Sequence, residues 1–275
     1  MLKKTTIKTI QKMKANGEKI AVLTAYDYST AKYIDEAGAD VVLVGDSLAN
    51  VALGYNSTQS VGMAEMLIFT GAVARGVNRA LVVGDMPFMS YNISIEDGIK
   101  NAGDMLKAGA NAVKIEGCND YILSLVKRLT ESGIPVLAHL GFTPQSINTL
   151  GGYSVQGKDT EAAKTMLEQA EKLEQAGAFA LVLEMVPEEV GKYITENIRI
   201  PTIGIGAGKY CTGQVMVSDD MLGKFSDYQP KFVRRYADIK NIILDSVKQY
   251  CLDVKNGDYP KENEVFHSEQ ITTQR

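Results

Sequence analysis

The chain has 275 residues, 45% of them hydrophobic, enough to bury a large core as one α/β barrel or as two smaller domains. Its formal net charge is −4 and its 29 Lys and Arg are spread along the sequence, which sets nucleic acid aside as a partner. Cys118, Cys211 and Cys251 are odd in number and lack metal-site spacing, so a reduced cytoplasmic compartment without a structural disulfide is expected.

The start, Met1-Leu-Lys-Lys-Thr-Thr-Ile7, leads into no continuous apolar run, so neither a signal peptide nor a membrane span is expected. A basic helix over 7–15 ends at Asn16-Gly17, and residues 20–24 then read as a first buried strand. A helix over 29–37 stops at Gly38 in the phrase Glu36-Ala-Gly-Ala-Asp40. Val41-Val-Leu-Val-Gly-Asp46-Ser47 follows, an unbroken apolar run closed by glycine and a carboxylate, and Leu81-Val-Val-Gly-Asp85 repeats it. Such runs are the mark of strands covered on both faces, as in parallel sheets. The Ala-Gly-Ala phrase returns before Ala112-Val-Lys-Ile-Glu116 and before Ala180-Leu-Val-Leu-Glu184, which suggests a repeated βα unit with glycine turning the chain out of each helix. Residues 135–139, 201–205 and 214–217 complete eight strand candidates, the last being the weakest, and a helix is expected over 188–197.

Eight such units predict a (β/α)8 barrel; an open doubly wound sheet is the alternative, although no Gly-x-Gly-x-x-Gly follows the first strand. A long amphipathic helix over 230–253, with Phe232, Val233, Ile242, Ile243 and Val247 at helical spacing, is expected to pack on the barrel or on a neighbouring subunit. One domain over 1–254 is expected, flanking helices included, with a polar and partly mobile tail over 255–275.

In a barrel the strand ends bring Asp46, Ser47, Asp85, Lys114, Glu116, His139 and Glu184 to one mouth. Lys114 and Glu116 are two apart and share the inner face. Charges pointing into a barrel are costly without partners. Asp46, Asp85 and Glu116 form an oxygen-only donor set suited to Mg²⁺, which keeps several waters on one or two carboxylates and so leaves room for one acid acting through water. Helix capping or pairing with basic side chains is the competing account of these acids. Lys114 can hold a substrate carboxylate, form a Schiff base or simply pair with Glu116. Glu184 closes an apolar run as a general base or as a helix cap, and His139 is either a contact of the site or a structural imidazole. Gly204-Ile-Gly-Ala-Gly208 can cradle a phosphate or permit close packing, and Gly151-Gly-Tyr153 can form a lid or an ordinary crossing.

The phrases Leu23-Thr-Ala-Tyr-Asp27, Val44-Gly-Asp-Ser-Leu48, Asp85-Met-Pro-Phe88, Val113-Lys-Ile-Glu-Gly117, His139-Leu-Gly-Phe-Thr-Pro-Gln-Ser146 and Pro201-Thr-Ile-Gly-Ile-Gly-Ala-Gly208 resemble, in order and spacing, the ketopantoate hydroxymethyltransferase family. The resemblance runs over about residues 6–268. It implies a (β/α)8 barrel assembled as a homodecamer. It implies transfer of the one-carbon unit of 5,10-methylenetetrahydrofolate to 3-methyl-2-oxobutanoate, giving 2-dehydropantoate and tetrahydrofolate on the route to pantothenate and coenzyme A. By position, Asp46 and Asp85 resemble the direct Mg²⁺ ligands and Glu116 the water-mediated one. Asp46, Ser47, Asp85 and Lys114 resemble the substrate contacts, His139 a supporting contact and Glu184 the general base. The chain departs from the family where Phe69, Thr212 and Ser218 stand in place of histidine, aspartate and histidine, so the folate side or subunit contacts are expected to differ. The competing readings are a Mg²⁺-dependent lyase or mutase of the phosphoenolpyruvate type, and a paralogue without catalysis.

Overall fold

The computed structural model describes residues 4–225 and 229–268. By contact the chain divides into one unit of residues 1–218 with 229–233, and another of residues 219–228 with 234–275. The first unit holds eight strands: β1 (Ile20–Thr24), β2 (Val41–Val44), β3 (Leu81–Asp85), β4 (Ala112–Glu116), β5 (Val136–Gly141), β6 (Ala180–Glu184), β7 (Thr202–Ile205) and β8 (Gly213–Met216). Each pairs in parallel with the next, and β8 pairs back onto β1 with Ile20 opposite Gly213. That last pairing closes the (β/α)8 barrel and removes the open-sheet alternative.

The predicted cadence has a backbone cause. Gly38, Gly109 and Gly177, the centres of the three Ala-Gly-Ala phrases, all have φ near +100° (99°, 117° and 102°), which lets each helix stop and its chain re-enter the sheet within a few residues.

Alternation along the strands divides the apolar residues in two. Val42, Val44, Val82, Val113, Ile115 and Leu181 belong to a core between strands and helices. Val22, Leu43, Val83, Ala112, Leu137 and Val182 belong to a smaller core that fills the barrel. Ile10, from the helix Ile7–Ala15, joins the inner core at 1% exposure. Its burial stabilises the closed bottom by about 1.5–3 kcal/mol. Lys14 of the same helix donates to the carbonyls of Thr195, Ile198 and Ile200 at 3.0, 2.8 and 2.8 Å. It thereby satisfies carbonyls in the last turn of the helix Glu188–Asn197 and in the segment that follows it.

Several boundaries differ from expectation. β5 runs on to Gly141, which pairs with Glu184 and has φ +92°. A Cβ there would lie 2.2 Å from the Glu184 carbonyl oxygen, so only glycine permits this approach. Gly141→Ala is therefore expected to lower stability by at least about 2 kcal/mol. Gly133→Ala, at φ +81° with nothing within 4 Å of the new Cβ, is expected to cost only about 1 kcal/mol. Thermal unfolding followed by circular dichroism compares the two.

The C-terminal helix spans Ile239–Asn256, with Asp238 as its N-cap, and does not include 230–238. Phe232 and Val233 belong instead to the barrel unit, Val233 buried and Phe232 lying against Gly206. None of the helix's residues is buried; Ile242, Val247 and Leu252 stay more than half exposed at 59%, 54% and 53%. Of the predicted polar tail, residues 269–275 lie outside the described residues. Among the described residues no helix is long and apolar enough to cross a membrane.

Candidate active site

The inward alternation that fills the barrel bottom with Leu81 and Val83, Ala112, Leu137, and Ala180 and Val182 continues upward into polar residues. Two residues further on, the same faces carry Asp85, Lys114 and then Glu116, His139 and Glu184. The run in β2 obeys a different rule, because alternation alone turns Gly45 inward and Asp46 away. A tight turn corrects this: the N–H groups of Leu48 and Ala49 donate to the carbonyls of Gly45 and Asp46 as the short helix Leu48–Val51 begins. Gly45 has no room for a side chain, since a Cβ would lie 2.8 Å from Ser47 Oγ.

The structure brings the predicted residues together. Lys114 Nζ lies 2.6 Å from Asp85 Oδ2 and 3.3 Å from Glu116 Oε1. His139 Nδ1 meets the same Glu116 oxygen at 3.2 Å. The Asp46 N–H donates to Asp85 Oδ2 at 3.2 Å. Asp46, Asp85, Lys114, Glu116 and His139 are all buried, whereas the Glu184 side chain keeps 16% of its surface open. Glu184 Oε2 stands 3.3 Å from His139 Nε2, close but off the line of a hydrogen bond. Ser47 Oγ shares a hydrogen bond with the Tyr26 hydroxyl at 2.8 Å. Met185, next to Glu184, is held at φ +48°, an uncommon conformation for a residue with a side chain.

The charges do not balance. Burial raises the Asp46 carboxyl well above its usual range, and the neighbouring Asp85 charge adds to this. Asp85 is raised as well: its burial and the Glu116 charge prevail over the contact with Lys114. Glu116 is also buried, but Lys114 and His139 prevail there and hold it at about 2. Burial opposes the charge on Lys114, and the three acids around it more than reverse this. For His139 burial works against protonation, yet bonds to Glu116 and the nearby Glu184 push it up to about 9. Four acids thus face two cations, and the buried Asp85 Oδ1 accepts no hydrogen bond. Among the described residues no three His, Cys, Asp or Glu side chains are grouped closely enough to hold a metal ion unaided.

The structure adds Gln145 and Tyr91 to the expected site residues. Gln145 is 4% exposed and its Nε2 donates to Asp46 Oδ2 at 3.0 Å, while its N–H donates to Glu116 Oε2 at 3.1 Å. The only sequence signal was its place in the phrase that runs from His139 to Ser146. The glycines after β7 serve close packing: Gly206 lies against Phe232 and Gly208 against the Glu188 side chain. Tyr153 covers Phe142, with ring centres 4.9 Å apart. Burial and the charges of Glu184 and Asp46 raise its hydroxyl above the usual tyrosine range.

A family model described as ketopantoate hydroxymethyltransferase matches residues 4–262. The chain belongs to the ketopantoate hydroxymethyltransferase family. It is 53% identical over 264 residues to the 3-methyl-2-oxobutanoate hydroxymethyltransferase of Clostridium novyi (strain NT), covering 96% of each chain. It is 52% identical over 271 residues to that of Thermoanaerobacter sp. (strain X514), covering 98% of each. Among solved structures, 2,3-dimethylmalate lyase, a member of the PEP mutase/isocitrate lyase superfamily, matches with a TM-score of 0.59 at 13% identity over 98% of this chain and 92% of that one. Phosphonopyruvate hydrolase matches with a TM-score of 0.62 at 11% identity over the same shares. Those likenesses show the barrel; the sequence relationship lies with the hydroxymethyltransferases.

The three positions at which the resemblance implies a departure have partners other than the buried acids. Phe69 packs on the outer core from the helix Met63–Gly76. Thr212 exchanges hydrogen bonds with Thr202 before β8. Ser218, after β8, donates its N–H to Thr24 Oγ1 at 2.9 Å.

Proposed function

We propose that the chain is a working cytoplasmic 3-methyl-2-oxobutanoate hydroxymethyltransferase that takes its one-carbon unit from 5,10-methylenetetrahydrofolate and requires Mg²⁺. The observation that carries the reading is the excess of buried carboxylate at the mouth, with Asp85 Oδ1 left without a donor. Like charges removed from water repel unless a cation or a proton stands between them, and the oxygen-only donor set favours the cation.

The donor set fits the ion. Mg²⁺ takes one or two carboxylates and fills its remaining positions with water and substrate oxygens, so a full cage of protein ligands is unnecessary. Asp46 and Asp85 are the direct ligands in this reading. Both oxygens of Glu116 are already engaged, by Lys114 and His139 on one side and by Gln145 on the other. That suits a role through water. When bound, the ion supplies positive charge beside the 2-oxo group, where negative charge develops in the reaction.

The side chains of the chain do the rest. Lys114 presents a fixed ammonium to the acid substrate, and Ser47, oriented by Tyr26, offers a hydrogen bond. Glu184 takes the proton from C3, with the positively charged His139 beside it to steady the carboxylate. A groove of about 440 Å³ bordered by Asn56, Gln59, Asn148 and Tyr153 offers amides and an aromatic face to the cosubstrate's ring system. The exposed apolar residues of the helix Ile239–Asn256 suit burial in the homodecamer that the family resemblance implies.

The test is the formation of 2-dehydropantoate from 3-methyl-2-oxobutanoate. Product is expected with Mg²⁺ and methylenetetrahydrofolate together, and none after chelation of the metal or omission of the folate. Exchange of the C3 proton with solvent is expected with Mg²⁺ alone. A protein that keeps full turnover in excess chelator would refute the metal assignment, and one without exchange would be a paralogue that has lost catalysis.

A further inference from the structure

Building on that functional reading, we propose that Gln145 is the positioning residue of the site: its side-chain amide holds Asp46, and its main-chain N–H holds Glu116, in the orientation that receives a divalent cation. Both N–H hydrogens and the oxygen of the Gln145 side-chain amide are engaged. Its two Nε2 hydrogens go to Asp46 Oδ2 at 3.0 Å and to the Met86 carbonyl at 2.9 Å. Its Oε1 accepts from the Tyr91 hydroxyl at 2.7 Å.

The direction of each bond is determined. The Tyr91 oxygen accepts from the Glu116 N–H at 3.4 Å, which leaves its own proton for Gln145. The ring is fixed in turn, because Tyr91 is 2% exposed and its carbonyl accepts from the Tyr121 hydroxyl at 2.8 Å. Turning the amide over would set Oε1 against a carboxylate and a carbonyl, two acceptors facing a third. The backbone closes the loop, since the Gln145 N–H donates to Glu116 Oε2 at 3.1 Å. Its carbonyl accepts from Gln59 Nε2 at 2.7 Å, which pins the turn Pro144–Ser146 from the other side. One residue therefore holds an acid from the β2 turn and an acid from β4 in fixed relation. Partners of this kind orient metal ligands, and their loss typically weakens metal binding about 10- to 100-fold.

The experiment uses the full chain stripped of metal. Mg²⁺ binding is titrated by calorimetry for the wild type, Gln145→Leu, Tyr91→Phe and the double variant, with thermal unfolding recorded for each. Gln145→Leu is expected to weaken Mg²⁺ binding about 10- to 100-fold. Tyr91→Phe, which removes the hydroxyl that anchors Oε1 and lets the amide tilt away from Asp46, is expected to act in the same direction. The double variant should lose little more than Gln145→Leu alone, because Tyr91 acts through the amide. Metal-free crystals should show Asp46 in its present rotamer in the wild type and displaced in Gln145→Leu, with Glu116, bonded by the main-chain N–H, unmoved in both. Wild-type Mg²⁺ affinity in both single variants, even with a lowered melting temperature, overturns the proposal. If the wild type itself binds no Mg²⁺, the functional reading fails instead, and the rotamer of Asp46 decides the role of Gln145.

Discussion

Replacing Glu184 by glutamine is expected to lower kcat by about 10²–10⁴-fold, the usual worth of a general base, while leaving Mg²⁺ and 2-oxo acid binding close to wild type. Glutamine keeps the shape of the side chain at the end of β6 and removes only its basicity. Glu184 is the one acid of the set whose carboxylate is partly open, at 16% exposure, and it has no bond to Lys114. Its partner is His139, at 3.3 Å, which Glu116 anchors from the other ring nitrogen. The substitution therefore leaves the Asp46, Asp85 and Lys114 contacts intact. Steady-state kinetics, calorimetric titration and loss of C3 proton exchange check this together. A variant that binds neither ligand yet turns over whatever reaches it would reverse the assignment.

The largest effect on stability is expected from Lys114→Met. Lys114 is 5% exposed and is the ammonium between Asp85 and Glu116. Methionine fills similar space but leaves buried carboxylates facing one another. Breaking a buried ion pair from one side costs about 3–5 kcal/mol, chiefly because the surviving charge loses its partner. For a chain of this size that corresponds to a fall in melting temperature of roughly 5–15 °C in metal-free protein. Adding Asp85→Asn to Lys114→Met should recover part of the loss, since it removes one of the stranded charges. Differential scanning calorimetry of the single and double variants measures this, and equal melting temperatures for wild type and Lys114→Met would contradict the description of the site.

Much of this molecule was legible in its residue order. The apolar runs of β2, β3 and β6 have no room for a solvated face, so they announce a sheet covered by helices. Lys114 and Glu116, two apart on such a run, had to share the inner surface. The three Ala-Gly-Ala phrases marked where helices end, because a left-handed backbone there is a local demand that glycine meets.

Other features escaped local reading. Apolar spacing continued smoothly through 230–253, but the helix waits for Asp238 to cap it, and Phe232 and Val233 pack with the barrel unit. Periodicity records which residues would share a helix face; it carries no information on whether anything covers that face, and Ile242 and Val247 remain exposed.

By itself, then, the amino-acid sequence determined the barrel, the acids and lysine on its inner wall, and the family. Those depend on side-chain alternation and backbone turns, interactions that span a few residues. Only the tertiary structure decided how Asp46 re-enters the mouth after Gly45, that His139 bonds to Glu116, and that Gln145 joins two acids. Those contacts join residues 23 to 99 positions apart: His139 meets Glu116 because β4 and β5 pair in register there, and Gln145 reaches Asp46 from the turn that follows β5.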